Sequence, residues 1–575
     1  MLKNCLSFFL TACVLTAVPA AAQDRQTVPF SPVPEVEPFK ISPGSSFSAS
    51  SSHPRPAVSA EFPIPSKHRI TADLEEALDV IGKNYGGKIA YEKVIKSSID
   101  AMLGTLDPHS TYFDAAEYRE MQDEQRSEYF GIGSTIVNYE KEGKLDTYII
   151  STFPGSPAAQ AGLRFGDRIA AVDGTDVSGK GSDIVRDKVR GRNGTVVRLK
   201  VERAATGNVD TVTIRRGRVP QPSIPDAYIL KPGVGYVDLS EGFNYTTSAE
   251  LESALRSLRR KGMNSMILDL RGNTGGILEQ AVKVAEKFIP AGNVIVSQRG
   301  RLSIDNRIWR SNGRAAESLP LVVLVDRNSA SASEIVAGAF QDYDRALIVG
   351  EKTFGKGLVQ SIINLPRGAG LAITTAKYFT PSGRSIQRDY SNGNLYDYFS
   401  HRNETVAKVR LAAQTITRRT VYGGDGIEPD EVLPSEEFTT DQLALLDPIF
   451  FFAADVANGR VKGLEHYRVD HIRSPNHRLG SNDFAVNDVI LAAFANYFAD
   501  GSSWKLEPGI VDRERRFIST RLRYLLTMAA FGSTTAGQVL IENDPQVAKA
   551  VKSLPPAAQL AQSARKTLQA AANRK

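Results

Sequence analysis

Cysteine is nearly absent from this sequence. Only Cys5 and Cys13 occur among its 575 residues, and both lie near the amino terminus. Once a leader that contains them is removed, no thiol remains in the chain. Disulfide bonds, cysteine catalysis and thiolate metal sites are therefore excluded for the mature protein.

The chain also lacks a strong excess of charge and, after its first segment, any long apolar run. Its 70 basic and 64 acidic residues are interspersed and give a formal net charge of +6, so we expect no nucleic-acid partner. No later segment is apolar for long enough to cross a bilayer, so the mature chain is expected to have no transmembrane helix. The length predicts roughly three or four globular domains at about 150 residues each.

The amino-terminal segment has the features of a targeting signal. Lys3 precedes an apolar run, and Ala20-Ala21-Ala22 provides small residues for cleavage before Gln23. Residues 1–22 are therefore predicted to be a signal peptide that directs export to the periplasm or cell envelope. The alternative is a lipoprotein anchored at Cys13, because Leu10-Thr11-Ala12-Cys13 is similar to a lipobox. Residues 23–66 are rich in Pro and Ser and are predicted to be a linker.

A helical element is predicted over residues 67–127. Apolar residues recur at helical spacing from Leu74 to Ile81 and again from Ile95 to Leu106. The second helix ends at an Asp-Pro pair within Leu106–Phe113. His109 in this segment is a candidate base, although a single histidine in a turn is more often structural.

Residues 128–219 have the pattern of a small β-rich module. Short strand-like runs flank a Glu142-Gly143 turn and alternate with further glycine turns. Gly131-Ile132-Gly133 precedes the first of these runs. Its glycines either leave the backbone amides open to a ligand or only form a tight turn.

Strands and helices alternate over residues 220–435. A capping box is predicted at Thr247-x-x-Glu250, at the start of a helix. The buried strand Met266–Leu270 ends in a glycine turn, Arg271–Gly276, which is followed by another helix. Such a turn exposes amides at a helix amino terminus, where they suit a developing oxyanion.

A serine-rich turn follows the apolar strand Leu321–Val325 and precedes a helix that contains Ile335. A serine on a strand-to-helix turn is well placed to be a nucleophile, and the residues alone leave three candidates: Ser329, Ser331 and Ser333.

Two lysines downstream, Lys352 and Lys356, are candidate bases. An amine serves as a base only when neutral, so burial must lower its pKa from ~10.4 toward roughly 7–8. On a strand, Gln360 shares a face with Lys356 and can reach its amine. A Ser-His-Asp triad is disfavoured because no histidine lies between His109 and His401.

A serine nucleophile with a lysine base predicts a hydrolase, and two other classes of function compete with this prediction. Gly350–Gly357 nearly matches a nucleotide-binding phosphate loop, but Gly357 replaces the hydroxyl that would bind Mg²⁺, and a strand rather than a helix is predicted to follow. The other alternative is a non-catalytic peptide-binding scaffold. The presence of both Ser331 and Lys356 argues against it.

The remaining residues, 436–575, are predicted to be a helical extension that packs on the preceding domain or mediates assembly into a homo-oligomer. Its helices are predicted at Leu443–Val456, Val489–Phe498 and around Ile518–Ala529. His466, His471 and His477 fit no single helical face, so they predict no metal site.

Four motifs in order resemble those of the carboxyl-terminal processing peptidases, also called tail-specific proteases: Asp269–Gly276, Ser329–Ile335, Gly355–Gln360 and Tyr378–Gln387. The β-rich module resembles a PDZ domain, and the resemblance extends from about Arg69 to Leu433. It implies a multidomain α/β chain with a ClpP/crotonase-like protease core, an inserted PDZ domain, a helical amino-terminal element and a helical carboxy-terminal extension.

The resemblance also implies roles for individual residues. Ser331 would be the nucleophile, Lys356 the general base and Gln360 the group that orients the lysine. The oxyanion would be bound by backbone amides of Ala332 and of Gly275 or Gly276, and a peptide carboxylate by those of Gly131, Ile132 and Gly133. The implied function is an exported serine endopeptidase that acts on polypeptides with free, flexible carboxyl termini and uses no metal or cofactor.

Overall fold

The computed structural model describes residues 67–313, 316–391, 395–400, 411–470, 477–499, 504 and 507–572. The predicted signal peptide with Cys13, the predicted linker 23–66, His401 and His471 lie outside the described residues. The chain divides into two compact units, and among the described residues the boundary along the chain falls between Ile99 and Asp100.

The strands are numbered in chain order: β1 Thr111–Phe113, β2 Glu128–Gly131, β3 Ser134–Lys141, β4 Lys144–Thr152, β5 Arg168–Val172, β6 Thr175–Asp176, β7 Val196–Glu202, β8 Val209–Arg215, β9 Gly217–Pro220, β10 Asp226–Lys231, β11 Val234–Asp238, β12 Ser265–Asp269, β13 Val294–Gly300, β14 Arg307–Arg310, β15 Leu321–Val325, β16 Leu347–Gly350, β17 Leu358–Asn364, β18 Gly370–Phe379, β19 Ala412–Gln414, β20 Thr420–Tyr422 and β21 Glu431–Val432.

The α-helices span Lys67–Asn84, Tyr91–Gly104, Ala115–Gln125, Pro157–Gln160, Ser182–Val189, Thr247–Arg260, Leu278–Glu286, Ala332–Asp342, Leu395–Ser400, Thr440–Ala444, Leu446–Ala457, Asp488–Ala499, Ile510–Arg513, Arg515–Phe531, Ser533–Glu542 and Pro545–Ala572. Short 3₁₀ turns occur at Ser303–Asp305, Pro366–Gly368 and Glu465–Tyr467. Among the described residues, no helix is both long and apolar enough to span a membrane.

The smaller unit contains the helix Lys67–Asn84 and the first part of Tyr91–Gly104. Both helices were predicted from their apolar spacing, and both are present. Large apolar side chains remain exposed on the first helix, including Leu74 and Ile81.

The centre of the larger unit is a six-stranded sheet in the order β10-β11-β12-β15-β16-β21. Its strands pair in parallel, except for the antiparallel pair β10–β11. Because successive side chains of a strand point to opposite faces, a strand covered on both sides is apolar throughout, as β15 is with five buried residues. The sequence Leu-Val-Val-Leu-Val thus indicates a strand covered on both sides.

Different helices cover the two faces of this sheet. Thr247–Arg260, Leu278–Glu286 and Ala332–Asp342 pack on one face together with Val323 and Leu268. The long helix Pro545–Ala572 packs on the other face through residues that include Val547 and Leu554. This part of the carboxy-terminal extension is therefore integral to the core.

One predicted detail of this face is wrong. The helix Thr247–Arg260 begins at Thr247 and its amino-terminal cap is Thr246, so Thr247 does not form a capping box with Glu250. The Glu250 carboxylate instead accepts a hydrogen bond from the Thr246 hydroxyl, and the Thr247 hydroxyl bonds to the Asn244 carbonyl. Two successive threonines made the choice of cap ambiguous in the sequence.

The β-rich module is a sheet in the order β3-β4-β5-β7-β8, with β6 paired to β5. Its own core contains Ile132, Ile149 and Val197. The strands β2 and β9, which lead into and out of the module, pair with each other from Glu128–Pro220 to Gly131–Gly217.

Helices of the carboxy-terminal extension cover the outer face of this module. Phe450, in the helix Leu446–Ala457, stacks on Tyr139 of β3 with ring centroids 3.7 Å apart and nearly parallel planes, and it also meets Tyr148 of β4 edge-on. These aromatic residues share one cluster with the helices Asp488–Ala499 and Arg515–Phe531. The extension therefore packs on both the β-rich module and the central sheet.

Candidate active site

The site lies at the carboxyl ends of three neighbouring parallel strands. The glycine turn Arg271–Gly276 follows β12, the serine turn 328–331 follows β15, and Lys356 follows β16 by a few residues. Carboxyl ends of parallel strands meet at one edge of a sheet, which is where open α/β sheets place their ligands. Motifs far apart in the sequence are therefore brought together by strand order.

Ser331 is the last residue before the helix Ala332–Asp342. It is half-buried, and its backbone has φ 55° and ψ −111°. A positive φ in a serine costs of order 1–3 kcal/mol and persists only where the surroundings impose it. The serine therefore sits on a strained strand-to-helix turn that leaves its side chain partly accessible.

The two neighbouring serines have structural partners. The Ser329 hydroxyl is buried and donates to the Leu270 carbonyl at 2.8 Å. The Ser333 hydroxyl is also buried and donates to the Asn273 carbonyl at 2.9 Å. The two bonds join the serine turn and the helix that follows it to residues 270 and 273 after the end of β12, so these serines hold the site together and Ser331 remains as the accessible one.

Lys356 has the depressed pKa that a neutral amine requires. Burial lowers the pKa of Lys356 to about 8, against the opposing effect of the Asp107 and Glu334 carboxylates. The rival amine, Lys352, forms an ion pair with Asp425 at 2.7 Å. The residues after Lys356 form the strand β17, as predicted, so the phosphate-loop reading is wrong because no helix follows.

Glu334 joins the serine turn to the lysine loop and was missed as a site residue. Its buried carboxylate accepts the backbone N–H groups of Ser331 and Lys356 on Oε2, both at 2.8 Å. On Oε1 it accepts the Gly355 N–H at 2.8 Å and the Thr353 hydroxyl at 2.6 Å. One carboxylate oxygen thus fixes the backbones of Ser331 and Lys356 relative to each other.

The glycine turn lies directly against Ser331. A Cβ atom at Gly275 would fall 2.7 Å from Ser331 Cβ and 3.0 Å from the Ala332 nitrogen, so only glycine fits there. The Gly275 N–H already donates to Asn273 Oδ1 at 2.9 Å. In the part of the chain that the structure describes, the N–H groups of Gly276 and Ala332 have no such partner.

Gln360 lies on β17 but bonds to a neighbouring strand. Its amide donates to the Thr374 hydroxyl at 3.2 Å, and the Thr374 N–H donates to the Ser110 hydroxyl at 3.1 Å. Ser110 in turn donates to Asp107 at 2.6 Å. The segment Leu106–Phe113 therefore supports this wall of the site, and its end, β1, pairs with β18.

His109 also lies beside the site. Its ring meets Phe354 and Tyr398 edge-on, and its Nε2 bonds to the Tyr398 hydroxyl at 2.8 Å. Burial and the nearby Lys356 lower the pKa of His109 well below its ordinary value. His109 is therefore a packed, neutral residue within hydrogen-bonding distance of a tyrosine hydroxyl. This agrees with the expectation that a single histidine in a turn has a structural role.

The loop Gly131-Ile132-Gly133 has an orientation suited to anion binding. The Ile132 carbonyl accepts the Ala158 N–H at 2.7 Å, and the Gly133 carbonyl accepts the Ser156 hydroxyl at 2.8 Å. Because the trans peptide group points its N–H opposite to its carbonyl, the amides of Gly133 and Ser134 face away from these partners. Gly133 has φ 73° and its Cβ position is occupied by Ser156, so glycine is required.

The histidines of the carboxy-terminal extension do not form a metal site among the described residues, where no group of three or more potential ligands occurs. His477 stacks on Phe531 at 4.0 Å and bonds to Asp483 at 2.6 Å. His466 packs beside Tyr467.

Family models match both parts of this arrangement. The model of peptidase family S41 matches residues 233–394, which include the glycine turn, Ser331 and Lys356. The PDZ domain model matches residues 153–203 of the β-rich module. Fold and site thus define a multidomain α/β protease with an S41 peptidase core and a PDZ domain.

Relatives of known name identify the family of the chain more narrowly. It is 38% identical over 301 residues to the carboxy-terminal-processing protease of Bartonella bacilliformis, covering 52% of this chain and 68% of that protein. It is 33% identical to the carboxy-terminal processing protease CtpA of Bacillus subtilis, covering 55% of this chain and 66% of the relative. The chain belongs to the carboxy-terminal processing protease family.

Two solved structures are also similar. The photosystem II D1 C-terminal processing protease shares 29% identity, with 63% of this chain and 86% of that chain covered and a TM-score of 0.34. The PDZ domain of the carboxy-terminal protease from Vibrio cholerae, solved with a peptide, shares 31% identity over 16% of this chain and 97% of its own, with a TM-score of 0.15.

Proposed function

We propose that this protein is an exported serine endopeptidase in which Ser331 attacks the peptide carbonyl and Lys356 accepts the proton of its hydroxyl. The observation that carries the proposal is the shared Glu334 oxygen, which bonds to the backbone of both residues at 2.8 Å. It keeps nucleophile and base in a fixed relation on two different loops. Because burial lowers the pKa of Lys356 to about 8, the neutral amine that the base requires is available.

The oxyanion of the tetrahedral intermediate is assigned to the amides of Ala332 and Gly276. Gly276 lies in the glycine turn beside Ser331, and the Ala332 N–H is at the amino terminus of the helix that follows Ser331, where negative charge is stabilised. Gly275 serves a different purpose, because its N–H is taken by Asn273. Its missing side chain leaves room for Ser331. Gln360 is assigned the role of orienting the lysine. Its side chain would then give up the hydrogen bond that it makes to Thr374.

The PDZ domain is proposed to bind the free carboxyl terminus of the polypeptide substrate at Gly131-Ile132-Gly133. The backbone amides that point away from Ala158 and Ser156 support this assignment. The domain boundaries proposed are 67–127 for the helical element, 128–219 for the PDZ domain, 220–435 for the peptidase core and 436–575 for the extension. Export by residues 1–22, or lipid attachment at Cys13, belongs to the same proposal.

The catalytic assignment is tested with Ser331→Ala and Lys356→Ala. Each variant is expected to lose cleavage of an unfolded protein by at least about 10³-fold, because a serine without its base, or a base without its serine, leaves only binding and the oxyanion site. Circular dichroism and thermal unfolding check that the fold is kept. Lys352→Ala is the matched control and should retain activity. Near-normal turnover in either of the first two variants contradicts the dyad.

Carboxylate capture is tested with paired peptides that differ only at the terminus. The free acid is expected to bind the Ser331→Ala protein at least about tenfold more tightly than the amide, since the amide lacks the charge that the loop amides stabilise. Equal affinity of acid and amide contradicts the assignment of the loop.

A further inference from the structure

The carboxy-terminal extension contacts the PDZ domain at the strand edge where a peptide would add. β3 is an edge strand of the PDZ sheet, and the two-residue turn Glu142-Gly143, with φ 55° and 73°, joins it to β4. Lys141 and Lys144 pair across this turn. In an antiparallel strand alternate residues direct their N–H and carbonyl groups outward, so Glu140, Asn138 and Ile136 face the open edge.

One of these outward groups is already occupied. Asp447 Oδ1 accepts the Glu140 N–H at 3.2 Å. Asp447 lies in the first turn of the helix Leu446–Ala457, and the stack of Phe450 on Tyr139 holds that helix against β3. The carboxylate is therefore placed on the edge by a packed aromatic contact one turn away.

The outward N–H groups nearer to the carboxylate loop remain available. Among the described residues, those of Ile136 and Asn138 have no hydrogen-bond partner. An extended peptide with its terminal carboxylate at Gly131–Gly133 would run antiparallel to β3. Its third residue from the end would lie opposite Ile136, its fifth opposite Asn138 and its seventh opposite Glu140.

We propose that Asp447 ends the peptide-binding edge of the PDZ domain, so that only about the last five residues of a polypeptide tail are bound as an added strand. This inference rests on the proposed capture of the carboxylate at Gly131–Gly133. The extension, which lies outside both family-matched segments, thereby becomes a determinant of substrate recognition. Residues further from the carboxyl terminus leave the sheet and are free to reach the peptidase site.

The test measures affinity against peptide length. Fluorescent peptides of three to nine residues, with a common carboxyl-terminal sequence, are titrated into the full-length Ser331→Ala protein. Affinity is expected to rise up to about five residues and then to change by less than about twofold. With Asp447→Ala in the same background, affinity is expected to rise further, by about three- to tenfold from six to eight residues, because the freed N–H bonds to the longer peptide.

Two further variants separate the edge contact from other effects. Asp447→Asn keeps an acceptor oxygen and is expected to restore the affinity plateau at five residues. Asp441→Ala removes an acid from the neighbouring helix and should leave the dependence of affinity on peptide length unchanged. Thermal unfolding of each variant detects loss of the packed extension. Affinity that keeps rising to nine residues in the protein with Asp447, or an unchanged plateau in Asp447→Ala, overturns the proposal. Equal binding of acid and amide peptides instead refutes carboxylate capture, while a length plateau that depends on Asp447 still supports the edge contact.

Discussion

Replacing Glu334 by Gln should reduce turnover far more than it reduces substrate binding. The carboxylate accepts four hydrogen bonds, two on each oxygen. An amide keeps one acceptor oxygen and points its NH₂ group at two of the former donors. Thr353 Oγ1 can accept from that NH₂ group, but the Gly355 N–H cannot, so the amide nitrogen is expected on the Oε1 side.

The size of the effect follows from these bonds. One buried N–H without a partner costs about 1–3 kcal/mol, and the remaining bonds lose the strength that an ionised acceptor gives them, so we expect a total loss of about 3–5 kcal/mol in the free energy of unfolding. A displacement of about 1 Å between Ser331 and Lys356 would lower kcat by about 10²-fold. KM should change little because Glu334 is buried and makes its bonds within the protein.

The assay is steady-state hydrolysis of a fluorogenic peptide, together with urea unfolding. The matched control is Asp344→Asn, since Asp344 is also a buried carboxylate that accepts several bonds, from Thr415, Thr417 and Arg419. It should lose stability with normal kcat in the folded protein. A folded Glu334→Gln protein with normal kcat would refute the role of the carboxylate as a link between nucleophile and base.

Three more outcomes are expected. Because the proposed mechanism needs Lys356 as a neutral amine and burial lowers the pKa of Lys356 to about 8, kcat/KM should fall as pH decreases through about 8 and rise roughly tenfold between pH 7 and 9, which a pH–rate profile measures. Gly275→Ala should lower kcat by about 10²–10³-fold, since the new Cβ would lie 2.7 Å from Ser331 Cβ; a kinetic assay with the folded variant checks this, and unchanged kcat would contradict the contact. Phe450→Ala should destabilise the packing of the extension on Tyr139 by about 3–5 kcal/mol, seen as a lower urea midpoint.

The sequence predicted those parts of the protein that depend on local pattern. The doubly buried strand before the serine turn, the strand after Lys356 and the carboxy-terminal helices all follow from apolar spacing, and the structure has them. The resemblance to a known family supplied the choice among three serines. Its basis became visible only in three dimensions, where Ser329 and Ser333 are buried and bonded to the carbonyls of Leu270 and Asn273.

Long-range contacts were beyond the sequence. Nothing in the pattern showed that β1, upstream of the PDZ domain, would pair with β18, or that Glu334 would reach the lysine loop. The spacing Ser331-x-x-Glu334 is a capping-box pattern, and it was the one available signal that the glutamate bonds to the serine backbone.

The PDZ domain is joined to the rest of the chain through the two-stranded ribbon formed by β2 and β9. Entry and exit of the module are hydrogen-bonded neighbours at Gly131 and Gly217, so a different recognition module with adjacent ends can be grafted there without stretching the peptidase. The substrate choice that we propose for the PDZ domain and the hydrolysis that we propose for the core can therefore diverge separately in evolution. Such a graft must also present an aromatic surface to Phe450. Without it, the extension loses the packing contact that Tyr139 now provides.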